Sequence, residues 1–154
     1  MRGGVAYVVD ASVYLPLVTI LGEGLVDVAK RWRMHVLDLT LYEVLNGLWK
    51  LHTRLRRIGL DEMRRTGRLA VELTRYMHVH KLAELDVDEV TSIAVESGIT
   101  VYDASYIALA RRLKLPVVSN DADILESAPR HGVQAYTLDR FLEAITPQGA
   151  GERP

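Results

Sequence analysis

The sequence predicts an α/β fold, a three-layer α/β/α sandwich built on a mainly parallel sheet of about five strands. Two observations carry that expectation. Short runs rich in β-branched residues recur along the chain, and between them lie longer stretches whose apolar residues follow the helical period. In addition, no internal repeat and no linker interrupts the pattern over 154 residues, so one core is expected for residues 1–146.

The first strand is VAYVV at residues 5–9, bounded by Gly3-Gly4 and Asp10. Residues 11–33 have helical character broken near Gly22-Glu23-Gly24, which predicts two helices. HVLDL at 35–39 is the second strand. After it, apolar residues at 41, 44, 45, 48, 51 and 55 mark one face of a helix that Gly59 ends. Residues 60–77 form a further helix, HVHKL at 78–82 the third strand, and 86–97 a helix stopped by Gly98. ITVYD leads into the helix ASYIALARRLKL, which ends at Pro116. PVVSND is the fourth strand with its exit, followed by a short helix near 122–128, a last strand in VQAYTL and a last helix at 138–145. The tail 147–154, PQGAGERP, lacks an apolar pattern and is expected to be disordered.

Composition narrows the function classes. The chain is 49% hydrophobic and 25% charged, ordinary for a globular protein, with a net charge of −1 that excludes a globally basic nucleic-acid binder. No cysteine is present, which removes disulfides and thiolate metal sites. No run of roughly 18 to 20 uninterrupted apolar residues marks a membrane helix. The first strand begins too early for a signal peptide, so a cytoplasmic location is expected.

Acidic residues stand where strands give way to helices. Asp10 follows the first strand, Glu43 lies in the first turn after the second, Asp103 begins the helix ASYIALARRL, and Asp121 follows the fourth strand with Asp123 two residues on. Each has a plain structural reading. Asp is a favoured N-cap, and Thr40-x-x-Glu43 matches a capping box. Jointly they say more, because the exits of parallel strands share one edge of a sheet, where ligand sites form. Carboxylates gathered there repel one another and resist ionisation unless a cation sits among them. Oxygen-only donors suit Mg²⁺ or Mn²⁺.

VVDAS, EVLN, YDASYIALA and VVSNDAD, in this order, resemble the PIN domain, in particular the single-domain VapC-type toxins, over residues 6 to 143. The resemblance implies an Mg²⁺- or Mn²⁺-dependent ribonuclease acting on single-stranded RNA, usually a homodimer, held inactive by a VapB-type antitoxin. It implies an acidic quartet of Asp10, Glu43, Asp103 and Asp121, with Asp10, Asp103 and Asp121 as metal ligands. Glu43 would act through water or orient the nucleophile, and Asp123 could share the role of Asp121. Ser12, Asn46 and Ser119 match polar residues that support the acids. A non-catalytic PIN-like scaffold for RNA or protein is the rival reading.

Weaker signals point elsewhere. Seven arginines between Arg54 and Arg75 read as a solvated helix face, with an RNA-tracking or partner-binding surface as alternatives. Trp32 and Trp49 fit core or interface. His78 and His80 share a strand face but have no third ligand nearby in sequence. Neither a G-x-x-x-x-G-K-[ST] loop nor a G-x-G-x-x-G turn is present, and Ser12 stands where a dehalogenase-type phosphatase needs a second Asp.

Overall fold

Alternate residues of the first strand face opposite ways, and both ways are covered. The computed structural model describes residues 5–146. In β1 (Tyr7–Val9) the side chains of Tyr7 and Val9 enter one apolar cluster and Val8 enters a second on the other face of the sheet. A strand buried on both faces has no reason to alternate apolar with polar, hence the continuous run VAYVV. The remaining strands are β2 (Met34–Leu37), β3 (His78–His80), β4 (Val117–Val118) and β5 (Ala135–Tyr136). They pair in the order β3-β2-β1-β4-β5, with all four pairings parallel.

Helices α1 (Ala11–Leu21), α2 (Leu25–Arg31), α3 (Asp38–Thr53), α4 (Leu60–Leu73) and α8 (Leu138–Ile145) supply the first cluster. Helices α5 (Val87–Ser97), α6 (Val101–Leu113) and α7 (Ala122–Ser127) supply the second. The three-layer sandwich is therefore the architecture the sequence predicts. Residues 11–31 have the length and mean hydropathy, 1.5, of a membrane span. A 3₁₀ turn at Gly22–Gly24 breaks them into two helices, whose Val13, Tyr14, Leu17, Val18, Leu25 and Ala29 are buried in the first cluster.

Helix α4 lies close against α3 because position 67 is glycine. A Cβ there would sit 2.9 Å from Leu45 Cδ2. All seven arginines from Arg54 to Arg75 are exposed, and the Arg54 guanidinium stacks over the Trp49 ring at 5.3 Å. Trp32 packs on the first cluster, while Trp49 is partly exposed.

Several element boundaries differ from the sequence reading: β3 stops at His80 instead of residue 82, α4 ends at Leu73 before a 3₁₀ turn, and two helix starts near the acids move upstream. Helix α3 begins at Asp38, so strand β2 stops at Leu37 instead of running to residue 39. Thr40 is consequently inside the helix, and its hydroxyl accepts the Leu37 N–H at 3.2 Å. It is not an N-cap paired with Glu43, which lies in the second turn. Helix α6 begins at Val101, capped by Thr100, and closes on Lys114 in the left-handed region two residues before Pro116. Both helices start early because a threonine hydroxyl satisfies a terminal amide. The tail 147–154 lies outside the described residues.

The sheet edge carries a third imidazole that spacing in the chain does not reveal. β2 pairs with β3 so that His35 lies opposite His78. The His35 and His78 rings stack at 4.5 Å, and His35 Nδ1 lies 2.9 Å from His80 Nε2. Burial, reinforced by His78, His80 and Arg33, lowers the His35 pKa from 6.5 to about 4. A histidine with a depressed folded pKa contributes stability that is complete above its unfolded pKa and is lost as pH falls from there toward the folded value. Acidification from pH 7 to about 5 should therefore cost the wild type about 1–2 kcal/mol more than His35→Gln, read by urea unfolding. The comparison cancels the buried carboxylates, which titrate in the opposite sense. Equal losses in the two proteins would show that the fold does not hold this ring neutral.

Candidate active site

Strand order reverses direction at β1, since β2 lies on one side of it and β4 on the other. Loops leaving β1 and β4 therefore diverge and open a crevice at the C-terminal edge of the sheet. Asp10 leaves β1 into that crevice and Ser119-Asn120-Asp121 leaves β4 into it.

Asp10 occupies the N-cap position of α1, yet its side chain caps no amide. The Ser12 hydroxyl donates to Oδ1 at 2.7 Å and the Ser119 hydroxyl donates to Oδ2 at 2.7 Å. Each serine is then used again, because Ser12 Oγ accepts the Asn120 N–H at 2.8 Å and Ser119 Oγ accepts the Asp121 N–H at 2.9 Å. One carboxylate and two hydroxyls thus tie the exits of β1 and β4 together. Asp10 is 4% exposed. Burial, opposed by the two serine hydroxyls and reinforced by Glu43, pushes its pKa up to about 6.

Glu43 projects from α3 toward α6. Tyr106, one helical turn after Asp103, donates its hydroxyl to Glu43 Oε1 at 2.6 Å, and that same hydroxyl lies 2.8 Å from Thr40 Oγ1. The Glu43 pKa is raised by burial, against the Tyr106 bond, and further by Asp103 and Asp121. Tyr106 was not among the residues singled out from sequence, and Thr40 stood there only as half of a capping box. Their signal was spacing, since 103 and 106 share a helix face, as do 40 and 43. Asn46, placed with Glu43 by the same rule, is exposed, and Tyr106 holds the glutamate instead.

Asp103 is the third residue of α6 and not its cap. Thr100 Oγ1 accepts the Asp103 N–H at 3.1 Å and lies 2.8 Å from Asp103 Oδ2, to which it donates. Burial, countered by Thr100 and reinforced by Asp121 and Asp123, raises the Asp103 pKa. Asp121 does cap α7, through Oδ1 on the Asp123 N–H at 2.8 Å, which leaves Oδ2 for another partner. Asp103, Asp121 and Asp123 present carboxylate oxygens that all lie within 4.8 Å of one another. Glu43 feels the charge of Asp103 and Asp121, and Asp10 in turn feels that of Glu43, so the five acids form one chain of repulsion in which Asp10 and Glu43 stand outside the trio.

Among the described residues the site acids are met by hydroxyls and backbone N–H groups, which carry no net charge. Among the described residues every ion pair lies elsewhere: Arg64 with Asp61, Arg111 with Glu89, and Arg140 with Glu143. An all-oxygen donor set of this density, uncompensated by lysine or arginine, fits a hard divalent cation. Asp103, Asp121 and Asp123 could hold one between them.

The chain and its fold are similar to those of known proteins. Residues 7–130 match the family model for the PIN domain. Ribonuclease VapC3 of Pyrobaculum aerophilum is 34% identical over 102 residues, 66% of this chain and 76% of its own. Exonuclease VapC9 of the same organism is 34% identical over 122 residues, 79% of this chain and 84% of its own. The crystal structure of PAE2754 from Pyrobaculum aerophilum superposes with a TM-score of 0.72 at 29% identity, covering 94% of this chain and 92% of that one. VapBC-5 of Mycobacterium tuberculosis, described as a member of the VapBC family of toxin-antitoxin systems, shares the fold. Its TM-score is 0.58 at 20% identity over 86% of this chain and 98% of that one.

Crowded carboxylates predict a thermal response. Mn²⁺ or Mg²⁺ at about a hundred times its Kd should raise the melting temperature by about 5 °C, because the cation binds only the folded arrangement. Chelator should reverse the rise, and Asp103→Asn or Asp10→Asn should remove most of it. A melting temperature indifferent to both cations in differential scanning fluorimetry would rule out the centre.

Proposed function

The chain belongs to the PIN-domain family, and from that membership and the convergence of its acids we propose that it is a metal-dependent endoribonuclease cutting single-stranded RNA. The further reading is that it is the toxin of a type II toxin-antitoxin pair, working in the cytoplasm and silenced by a VapB-type antitoxin. The observation that carries the proposal is the trio Asp103, Asp121 and Asp123 beside Asp10 and Glu43 at one sheet edge. The names of the relatives, a ribonuclease and an exonuclease, support nuclease chemistry, and the toxin-antitoxin structures sharing the fold support the antitoxin.

In this reading Asp103, Asp121 and Asp123 hold Mg²⁺ or Mn²⁺, with Asp10 completing the acidic wall. A cation held there would supply positive charge to the phosphate and acidify a water beside it. Glu43 receives the proton. Tyr106 occupies Oε1 and leaves Oε2 for the proton, and the raised pKa brings the carboxylate closer to a useful base near neutral pH. Ser12 and Ser119 hold Asp10 in one rotamer, and Thr100 does the same for Asp103. Single strands suit a crevice lined by loops, because an unpaired backbone can bend into it.

Cleavage of a circular single-stranded RNA separates an endonuclease from an exonuclease. The wild type should linearise it with Mn²⁺ and not with chelator. Asp103→Asn should abolish the activity while keeping the fold, since its backbone N–H still bonds Thr100. Tyr106→Phe should lower kcat about tenfold through loss of one charge-assisted hydrogen bond. Cation binding without cleavage of any RNA in a broad panel would favour the scaffold reading instead.

Quaternary structure gives a separate expectation. Leu45, Trp49, Leu55, Leu60 and Val71 expose apolar surface along α3, α4 and the turn between them. We expect a two-fold homodimer that covers part of it. Sedimentation at micromolar concentration should give twice the monomer mass, and a monomer would overturn the assignment.

A further inference from the structure

Beside the acids lies an apolar pocket that the chemistry described so far does not use. It is walled by Leu39, Leu82 and Val101, with a volume of about 250 Å³. Two tyrosines flank it, Tyr42 and Tyr102, which are 75% and 60% exposed. Each is the immediate neighbour of a site acid, Tyr42 of Glu43 on α3 and Tyr102 of Asp103 on α6. The same two helix starts therefore build the acid cluster and the pocket.

An aromatic ring that is mostly in water and makes no hydrogen bond within the described residues contributes little to stability. Two such rings beside one apolar cavity offer free faces on which an aromatic ligand can stack. The cavity is smaller than the roughly 300–1,000 Å³ clefts that take drug-sized ligands, so it admits one planar ring system and not a peptide helix. Asp38 also lines it. A carboxylate repels phosphate but accepts amide or amino N–H groups, so the occupant is the base of a nucleotide and not its backbone. The backbone is left to the neighbouring acids, which can take a phosphate only through a cation.

We propose that Tyr42 and Tyr102 stack on one unpaired base next to the scissile phosphate and so set the register of the strand on the acid cluster. The inference rests on the ribonuclease reading and adds to it the residues that position substrate. Stacking is tolerant of base identity. Asp38 adds an acceptor for an N–H group on the edge of that base.

The test uses an RNA that the wild-type protein cleaves. Tyr42→Leu and Tyr102→Leu should each raise KM about tenfold with kcat changed less than about threefold, whereas Tyr42→Phe and Tyr102→Phe should stay within about twofold of wild type. Melting temperatures should not move, because both side chains are exposed. An abasic nucleotide beside the cleaved bond should raise the wild-type KM to the level of the Leu variants and add little to theirs. Leu variants with wild-type KM, or an abasic effect of equal size in all the proteins, would overturn the proposal and leave the nuclease reading standing. Leu variants that cut RNA normally but escape inhibition by a protein partner would assign the pocket to that partner and also overturn it. A wild type that cuts no RNA would remove both readings.

Discussion

Everything at the crevice depends on how Asp10 is held. β4 is two residues long and β1 three, so their pairing alone gives little definition to the chain leaving them. The Asp10 carboxylate supplies it by accepting a hydroxyl from each exit, Ser12 on one and Ser119 on the other. Both hydroxyls then accept backbone amides of the β4 exit, at Asn120 and Asp121. A buried carboxylate satisfied by neutral donors keeps its negative charge close to the other acids, where a salt bridge would have cancelled it. The arrangement fixes geometry and field together.

That field is costly without a counter-ion. Burial and mutual repulsion raise the pKa of Asp10, Glu43 and Asp103, so their ionised forms oppose folding near neutral pH. The hydroxyls of Tyr106, Thr100, Ser12 and Ser119 soften the penalty without supplying positive charge. A site strained in this way is matched to what arrives from solution, a divalent cation and the anionic phosphate it carries. The exposed arginines between Arg54 and Arg75 stand on α4, the chain leading into it and the 3₁₀ turn that follows it, and none pairs with a site acid, so they do not quench the site.

Much of this was legible in the chain. Side-chain period is a local property, so the strands, the helices and the break at Gly22–Gly24 could be read directly. Strand exits and helix starts are local too, which is why Asp10 and Asp121 at strand exits and Asp103 at a helix start are legible in the sequence. Boundaries were less secure. The α3 and α6 starts moved upstream because Thr40 and Thr100 spend their hydroxyls on backbone amides, a choice that depends on where the next turn packs.

By itself the sequence determined a parallel α/β sandwich and a set of acids at its strand exits, because both follow from patterns a few residues long. Only the tertiary structure decided which acids meet and what holds them. Strand order brings Ser119 to Asp10 across 109 positions, and helix packing brings Tyr106 to Glu43 across 63. It also set His35 against His80 and gave Glu43 the Tyr106 hydroxyl as its partner. Those contacts depend on which strands are neighbours and how close two helices lie. Such facts belong to the packed chain as a whole, since no short segment carries the distance between itself and another.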